Sequence, residues 1–202
     1  MMILRNAPAS PFGRKVRISI KLLGLDKDIE IRAADTNDPN DDLRQQNALG
    51  KIPTLIGEDG IAYFDSRVIV EYLDTRAGGG RIIPREGKAR FEALRLQALC
   101  DGICDALLLQ VYEKRFREPE RHEEKWVSLQ AGKVERGLKT LETSPPAIDT
   151  VPTVGQIALA CTLGYGDLRF EGKWRSSHPK LVAWLDRFAA QVPAFEETRF
   201  KG

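Results

Sequence analysis

The feature that most constrains this 202-residue chain is a change of pattern at the triple glycine at 78–80. Before it, short apolar runs alternate with helical segments and turn residues. After it, apolar residues recur at helical spacing almost without interruption. A glycine run with Pro84 close behind is typical of a linker. We therefore expect two units of different class: an α/β domain over residues 1–77, a linker over 78–86 and an all-α domain over 87–202.

The first unit has the order β-α-β, followed by a β-hairpin and a helix. Apolar residues that alternate or cluster between turn residues predict four strands, at 2–4, 29–31, 54–56 and 61–64. The first helix is expected to start at Pro11, because proline suits the first helical position, and to stop at Gly24. The polar stretch 35–42 is expected to be a loop. A second helix is expected from Ser66.

The second unit is expected to contain helices only. Apolar residues at i, i+3 and i+4 predict four of them, at 88–116, at 120–141, from 153 onwards and at 179–190. Two prolines at 145–146 end the second helix. Thr153 followed by Gln156 fits a capping box at the start of the third.

The charge balance of the chain gives no sign of a polyanionic partner. Lys and Arg exceed Asp and Glu by only 31 − 29 = 2, so neither nucleic acid nor an anionic membrane surface is expected as a partner. No apolar run approaches the roughly 18–20 residues that cross a bilayer. The apolar stretch at the start is too short for a signal peptide. A cytoplasmic location is the resulting expectation.

The cysteines and histidines do not form a metal-binding or disulfide pattern. The cysteines Cys100, Cys104 and Cys161 are odd in number and include no Cys-x-x-Cys pair, while His122 and His178 lie in different segments. No metal is therefore expected. Free cysteine is usually a small buried hydrophobic residue, and this is the favoured interpretation of Cys100 and Cys104.

Three short stretches of the first unit carry residues suited to ligand binding. In ASPFGRK, residues 9–15, a serine hydroxyl stands at the start of a helix. In GKIPTL, residues 50–55, Pro53 directly precedes a strand, where a cis peptide would leave the N–H and C=O of Ile52 available to a ligand. In FDSR, residues 64–67, an acid and a serine open a helix whose N-terminus favours an anionic group.

Each stretch also has a purely structural interpretation. Ser10 fits an ordinary helix N-cap, and Asp65 with Ser66 fits another. Lys51 fits a solvated surface lysine, and Pro53 fits a stiff loop residue. Taken one at a time, the structural interpretation is favoured. Taken together with the order of the elements, the three stretches favour a binding site.

On these residues the chain resembles the glutathione transferase family over essentially its whole length. SPFGRKVR is similar to the family's active-site turn and first helix, GKIPTL to its cis-proline stretch, FDSRVIVEYLD to its acidic-serine signature and TVGQIALAC to its second-domain capping box. Two positions depart from the family pattern: Gln156 stands where an acid is usual, and Ala48 where proline is frequent. The resemblance implies a thioredoxin-like α/β N-terminal domain followed by an all-α helical domain.

The resemblance implies that Ser10 donates a hydrogen bond to the glutathione thiolate and is not itself a nucleophile. Family members with cysteine at this position form mixed disulfides, which serine cannot do, so conjugation is favoured over thiol–disulfide exchange. Lowering a thiol pKa from near 8.5 to about 6.5–7 requires about 2–3 kcal/mol. One hydrogen bond to a charged group contributes about 1.5–3 kcal/mol, and the helix N-terminus assists.

The resemblance also implies which residues bind the rest of the glutathione molecule. Lys51 would reach the glycyl carboxylate. The backbone of Ile52, exposed by cis-Pro53, would pair with the cysteinyl residue. Asp65 would bind the γ-glutamyl ammonium group, and Ser66 the γ-glutamyl carboxylate. Glutathione is therefore the implied co-substrate.

A second, electrophilic substrate is expected between the two domains. The candidate lining residues are Pro11 and Phe12 from the active-site turn, with Asp101, Cys104 and Asp105 from the first long helix of the second domain. The two acids lie one helical turn apart, so they could equally form a solvated face or interdomain anchors. Cys104 could be a reactive thiol, although a buried hydrophobic role is favoured.

The leading hypothesis is a glutathione transferase that conjugates glutathione to small hydrophobic electrophiles, a detoxifying reaction. Glutathione-dependent isomerisation or peroxide reduction on the same site is an alternative. A non-catalytic binding module with the same fold is another, because fold alone does not determine function. The family commonly forms two-fold dimers, so a homodimer is expected, with residues 67–72 facing the partner's long helices.

Overall fold

The computed structural model describes residues 1–200. An N-terminal domain built on a mixed four-stranded sheet is followed by a helical C-terminal domain, as the sequence predicts. The strands are β1 Met2–Asn6, β2 Ile29–Ala33, β3 Thr54–Ile56 and β4 Ala62–Tyr63, in the spatial order β2-β1-β3-β4. All four predicted strands are confirmed, although β4 is shorter at both ends than expected.

The central strand β1 sets the direction of the sheet. It pairs in parallel with β2 and antiparallel with β3, which pairs antiparallel with β4. A parallel pair requires a crossover, and helix α1 (Pro11–Leu23) supplies it. The side chains of Met2 and Leu4 are fully buried. The β1–α1 junction therefore stands on a rigid core strand.

Helix α1 is bounded by the residues that the sequence indicated. Ser10 is its N-cap, Pro11 occupies its first position, and Gly24 follows its end with φ 74°. That left-handed conformation is disfavoured for residues with a Cβ, so glycine suits the position. Helix α3 (Ser66–Arg76) is the second helix predicted for the sheet domain, and it starts at the expected residue.

A short helix α2 (Leu43–Gln46) was not predicted, because a long-range interaction organises the stretch before it. The buried guanidinium of Arg5, on β1, donates to Asp41 at 2.8 Å and also to Asp42. Asp41 in turn accepts from the backbone N–H of Leu43 at 2.8 Å. These contacts order a polar segment that local sequence pattern describes only as a loop.

The triple glycine forms a defined turn. Gly78, Gly79 and Gly80 all have positive φ, at 97°, 71° and 79°. The buried carboxylate of Asp74, on α3, accepts from the backbone N–H groups of Gly80 and the next two residues at 2.8–3.0 Å. Hydrogen bonds to Asp74 therefore attach the connection between the domains to α3.

The C-terminal domain contains four long helices and one short one within residues 87–200. They are α4 Gly87–Phe116, α5 Glu124–Thr143, α6 Val154–Phe170, α7 Pro179–Gln191 and α8 Pro193–Glu197, with 3-10 helices at Pro119–Arg121 and Lys173–Ser177. The four predicted helices are confirmed. Helix α5 begins later than expected because Glu120 belongs to a 3-10 helix. Helix α8 was not predicted.

Helix α6 is the centre of the domain. It is apolar and buried on almost every side, packing against α4 and, across the domain boundary, against α1. At its start, Gln156 accepts from the backbone N–H of Thr153 at 3.0 Å, which confirms the capping box. None of the helices found in residues 1–200 combines the length and the apolar character needed to span a membrane.

Candidate functional site

Ser10 stands between the end of β1 and the start of α1, and its hydroxyl has a free proton. Its Oγ accepts a hydrogen bond from the backbone N–H of Gly13 at 3.1 Å. A hydroxyl offers one donor and two acceptor positions, so the cap uses only an acceptor. No acceptor within residues 1–200 takes the Ser10 proton. Capping the helix and donating to a ligand are therefore compatible roles for this hydroxyl.

The first turn of α1 approaches the end of β1 closely. A Cβ added to Gly13 would overlap the buried side chain of Asn6. A residue with a Cβ at this position would require the Asn6 side chain to move. Glycine therefore suits the residue whose N–H donates to Ser10.

A small cavity of about 40 Å³ opens beside Ser10. Pro11 and Arg14 line it from α1, Tyr165 and Leu168 from α6, and Phe200 from the end of the described chain. Burial raises the pKa of Tyr165 to about 12, so its hydroxyl stays protonated at neutral pH.

The contribution of α6 to this cavity was not predicted from the sequence. Cys161, Tyr165 and Leu168 lie at i, i+4 and i+7, which continues the core stripe of the helix toward α1. The apolar stripe of α6 is visible in the sequence. The sequence does not show that this stripe packs against α1. Phe12 is half-buried and does not line this cavity.

The stretch before β3 holds a cis peptide between Ile52 and Pro53, as predicted. The carbonyl of Lys51 accepts from Asn47 Nδ2 at 3.0 Å and from Thr54 Oγ1 at 2.9 Å, which fixes the loop. The N–H and C=O of Ile52 bond to no described residue. This backbone is therefore open to pairing with a ligand, and the Lys51 side chain is exposed next to it.

Asp65 and Ser66 open α3. The Asp65 carboxylate accepts from the backbone N–H of Arg67 at 2.9 Å and pairs with its guanidinium at 2.8 Å. Burial raises the pKa of Asp65, but the hydrogen bonds from Arg67 outweigh it and hold the pKa below its usual value. The carboxylate is therefore ionised at neutral pH. The buried Ser66 hydroxyl bonds to no residue of the described chain.

Asp101 is an interdomain anchor. Its carboxylate oxygens both lie 2.7 Å from Nζ of Lys15, which is 1% exposed. The pair joins α4 to α1. Burial raises the pKa of Asp101, and the charge of Lys15 opposes this. Of the three roles left open for Asp101, these contacts support the interdomain anchor over a solvated face or the lining of an open cleft.

Asp105, one turn further along α4, is exposed. Burial and the charge of Asp101 raise its pKa, while the charges of Lys51 and Arg67 lower it. Two cationic residues of the sheet domain therefore act on this carboxylate through their charges. Arg67 is part of this charge cluster and was not predicted as a site residue.

Cys104 does not line the cleft. It is 2% exposed between α4 and α6, with its Sγ 3.2 Å from Oγ1 of Thr162. Burial raises the pKa of Cys104 and of Cys100, and raises that of Cys161 to about 11. The favoured interpretation of Cys104 as a small buried hydrophobic residue is confirmed, and its candidate place in the lining of the cleft is corrected. A buried protonated thiol is also a poor nucleophile.

The described part of the chain brings together no group of three or more His, Cys, Asp or Glu side chains that could hold a metal ion. The strand pairing does put the end of β1, the start of β3 and the end of β4 at one edge of the sheet. Three groups with unused hydrogen-bonding capacity lie in the segments next to these strand ends: the Ser10 hydroxyl, the Ile52 backbone and the Ser66 hydroxyl.

Comparison with known proteins gives consistent matches along the chain. Residues 4–81 match the model of the glutathione S-transferase N-terminal domain, and residues 124–187 match that of the C-terminal domain. The uncharacterized GST-like protein YibF of Escherichia coli K12 is 32% identical over 92% of each chain.

Solved structures agree with these matches. A glutathione transferase family member from Pseudomonas fluorescens Pf-5, with bound glutathione, is 38% identical over 98% of each chain, with a TM-score of 0.89. A second structure of that protein holds S-(propanoic acid)-glutathione, covering 98% of this chain and 99% of that one, at 38% identity and a TM-score of 0.86. Matched by both domain models and by relatives that span nearly its whole length, the chain belongs to the glutathione S-transferase family.

Proposed function

We propose that this protein is a glutathione transferase in which Ser10 stabilises the thiolate of bound glutathione. The observation that carries the proposal is the free proton of the Ser10 hydroxyl at the N-terminus of α1. The cap fixes the oxygen in place and leaves the hydroxyl proton free to turn toward a ligand. A preorganised donor and the positive end of a helix both favour an anion at this position.

The groups around Ser10 suit the rest of glutathione. The unpaired N–H and C=O of Ile52 can pair with the cysteinyl backbone, and the exposed ammonium of Lys51 can meet the glycyl carboxylate. The ionised Asp65 attracts the γ-glutamyl ammonium group. Ser66 offers its hydroxyl to the γ-glutamyl carboxylate at the N-terminus of α3.

The reaction proposed is thioether formation. The thiolate sulfur forms a bond to an electrophilic carbon. In a substitution, a leaving group departs from that carbon with the bonding electron pair; in an addition to an activated double bond, the electron pair moves to the neighbouring carbon, which takes up a proton. The S-(propanoic acid)-glutathione held by the Pseudomonas relative is a thioether of this kind, which supports the proposal. The apolar side chains of Pro11, Leu168 and Phe200 beside Ser10 favour a small hydrophobic electrophile.

Binding and turnover test the proposed function directly. Purified protein is expected to be retained on immobilised glutathione and eluted by free glutathione. It is also expected to conjugate glutathione to members of a panel that includes 1-chloro-2,4-dinitrobenzene, acrylate and a haloalkane, measured by mass of the adduct. Retention without any adduct would support a binding module instead, and neither retention nor adduct would overturn the proposal.

We also propose that the protein is a homodimer that meets its partner through α3 and α4. The exposed apolar side chains Phe64, Val68 and Phe91 lie on these helices or at their edge, and Phe91 is 71% exposed. Apolar patches of this kind mark interaction surfaces. Sedimentation velocity is expected to give twice the chain mass, and Phe91→Asp is expected to give a folded monomer. A wild-type monomer at micromolar concentration contradicts this assignment.

A further inference from the structure

A second cavity, of about 260 Å³, lies inside the helical domain and plays no part in the proposed reaction. It is bounded by α4, α5, α6 and the 3-10 helix Lys173–Ser177. Buried apolar side chains form its floor, among them Leu107, Leu138, Leu163 and Trp174. Its rim carries the exposed residues Ala131, Glu135 and Lys173.

This cavity is separate from the one beside Ser10. Residues 162, 163, 166 and 170 of α6 line it, whereas residues 161, 164, 165 and 168 line the cavity at Ser10. These two sets fall on opposite faces of the helix. The body of α6 therefore separates the two cavities, so a molecule in one does not exclude glutathione from the other.

Two residues that line the larger cavity carry a hydrogen-bond acceptor without a donor partner in the described chain. Nδ1 of His178 lies 2.8 Å from the carbonyl oxygen of Trp174, which only accepts, so Nδ1 is the donor. The tautomer with its single proton on Nδ1 leaves Nε2 as an acceptor. Gln110 donates its amide nitrogen to the carbonyl of Ala106 at 3.1 Å, which leaves the amide oxygen free. Neither acceptor has a donor partner within residues 1–200.

The volume and the polarity of the cavity together indicate which kind of molecule fits it. An apolar cavity of about 150 Å³ accepts benzene, so 260 Å³ suits a fused two-ring compound. Apolar walls require an apolar body, and the acceptors of Gln110 and His178 require an N–H or O–H donor on it. We propose that this cavity binds a small uncharged bicyclic aromatic molecule with one hydrogen-bond donor, of the indole type, independently of glutathione.

Calorimetric titration of the full chain with indole and 1-methylindole tests the proposal. Indole is expected to bind at one molecule per chain, at least tenfold more tightly than 1-methylindole, which lacks the donor. Saturating glutathione is expected to change the indole Kd by less than twofold. The proposal is overturned by no indole binding up to millimolar concentration, by equal binding of the two compounds or by displacement of indole by glutathione.

Filling the cavity tests its location. Ala131→Trp, at the rim, is expected to weaken indole binding more than tenfold, and Val134→Phe, on the adjoining wall, is expected to weaken it likewise. Ala190→Trp, on the exposed side of α7 and outside the cavity, is the matched control and is expected to bind as the wild type does. Circular dichroism checks that each variant folds. Wild-type affinity in both filled variants contradicts the assignment.

Discussion

Replacing Ser10 with glycine is expected to lower kcat/KM for glutathione conjugation by about 10²–10³-fold, the usual effect of removing one preorganised donor to an anion. Glycine removes the hydroxyl but is itself an acceptable N-cap, so α1 loses only a few tenths of a kcal/mol. The loss of activity is therefore expected with little change in the free energy of unfolding. Steady-state kinetics and urea unfolding measure the two quantities.

Three further substitutions separate the two roles of the Ser10 hydroxyl. Ser10→Ala removes both and is expected to cost about 1 kcal/mol of stability as well as the activity. Ser10→Asp keeps an acceptor for Gly13 but offers no proton at neutral pH, so it is expected to be stable and inactive. Ser10→Thr keeps both and is expected to retain most of the activity. An active Ser10→Asp variant would contradict the donor role.

Breaking the buried ion pair between Lys15 and Asp101 is expected to cost about 3–5 kcal/mol of stability, because either substitution leaves an uncompensated buried charge. Lys15 is 1% exposed and Asp101 8% exposed, so neither charge can turn to solvent without moving α1 away from α4. Lys15→Met and Asp101→Leu are each expected to show the loss in urea unfolding. The combined variant is expected to be close to the wild type, since an apolar pair of similar volume replaces two desolvated charges.

An exposed lysine of the same helix supplies the control. Lys21 pairs with Glu197 at 2.8 Å, but the lysine is 35% exposed and the glutamate 54% exposed. Lys21→Met is therefore expected to cost at most about 1 kcal/mol. Equal losses of stability in Lys15→Met and Lys21→Met would contradict the prediction that the buried Lys15–Asp101 pair matters more for stability than the exposed pair.

The stability lost in the Lys15→Met variant is expected to depend on pH in a definite direction. Burial already raises the pKa of Asp101 in the folded protein, and removal of Lys15 raises it further. A carboxyl with a raised folded pKa binds its proton more tightly when folded, so stability increases as the pH falls through that raised pKa toward the ordinary carboxyl value. The difference between variant and wild type is therefore expected to be largest at neutral pH and to shrink on acidification.

Local signals in the sequence predicted most of the elements but not their long-range partners. Pro11 and Gly24 marked the ends of α1, and Thr153 with Gln156 marked the start of α6, because caps are read from neighbouring residues. Helix α2 escaped prediction because it depends on Arg5, far away on β1. Sequence spacing contains no information about such a contact.

The residues of the candidate site show the same difference between local signals and long-range contacts. Ser10, Ile52 and Ser66 were predicted from short stretches with local signals, and the resemblance to the family supplied their proposed roles. The acids on α4 were ambiguous, because spacing put Asp101 on a helical face without revealing that Lys15 lies opposite it. Tyr165 was not found, since its place beside Ser10 depends on how α6 packs against α1.

The thiol pKa of bound glutathione tests the central claim most directly. Ultraviolet difference titration of the wild-type complex is expected to give a thiol pKa of about 6.5–7, against about 8.5 for a free thiol. In Ser10→Gly, glutathione is expected to remain bound, through Lys51, Ile52, Asp65 and Ser66, while its thiol pKa returns toward the free value. An identical thiolate titration in the wild type and in Ser10→Gly would contradict the account and leave Ser10 as a helix cap alone.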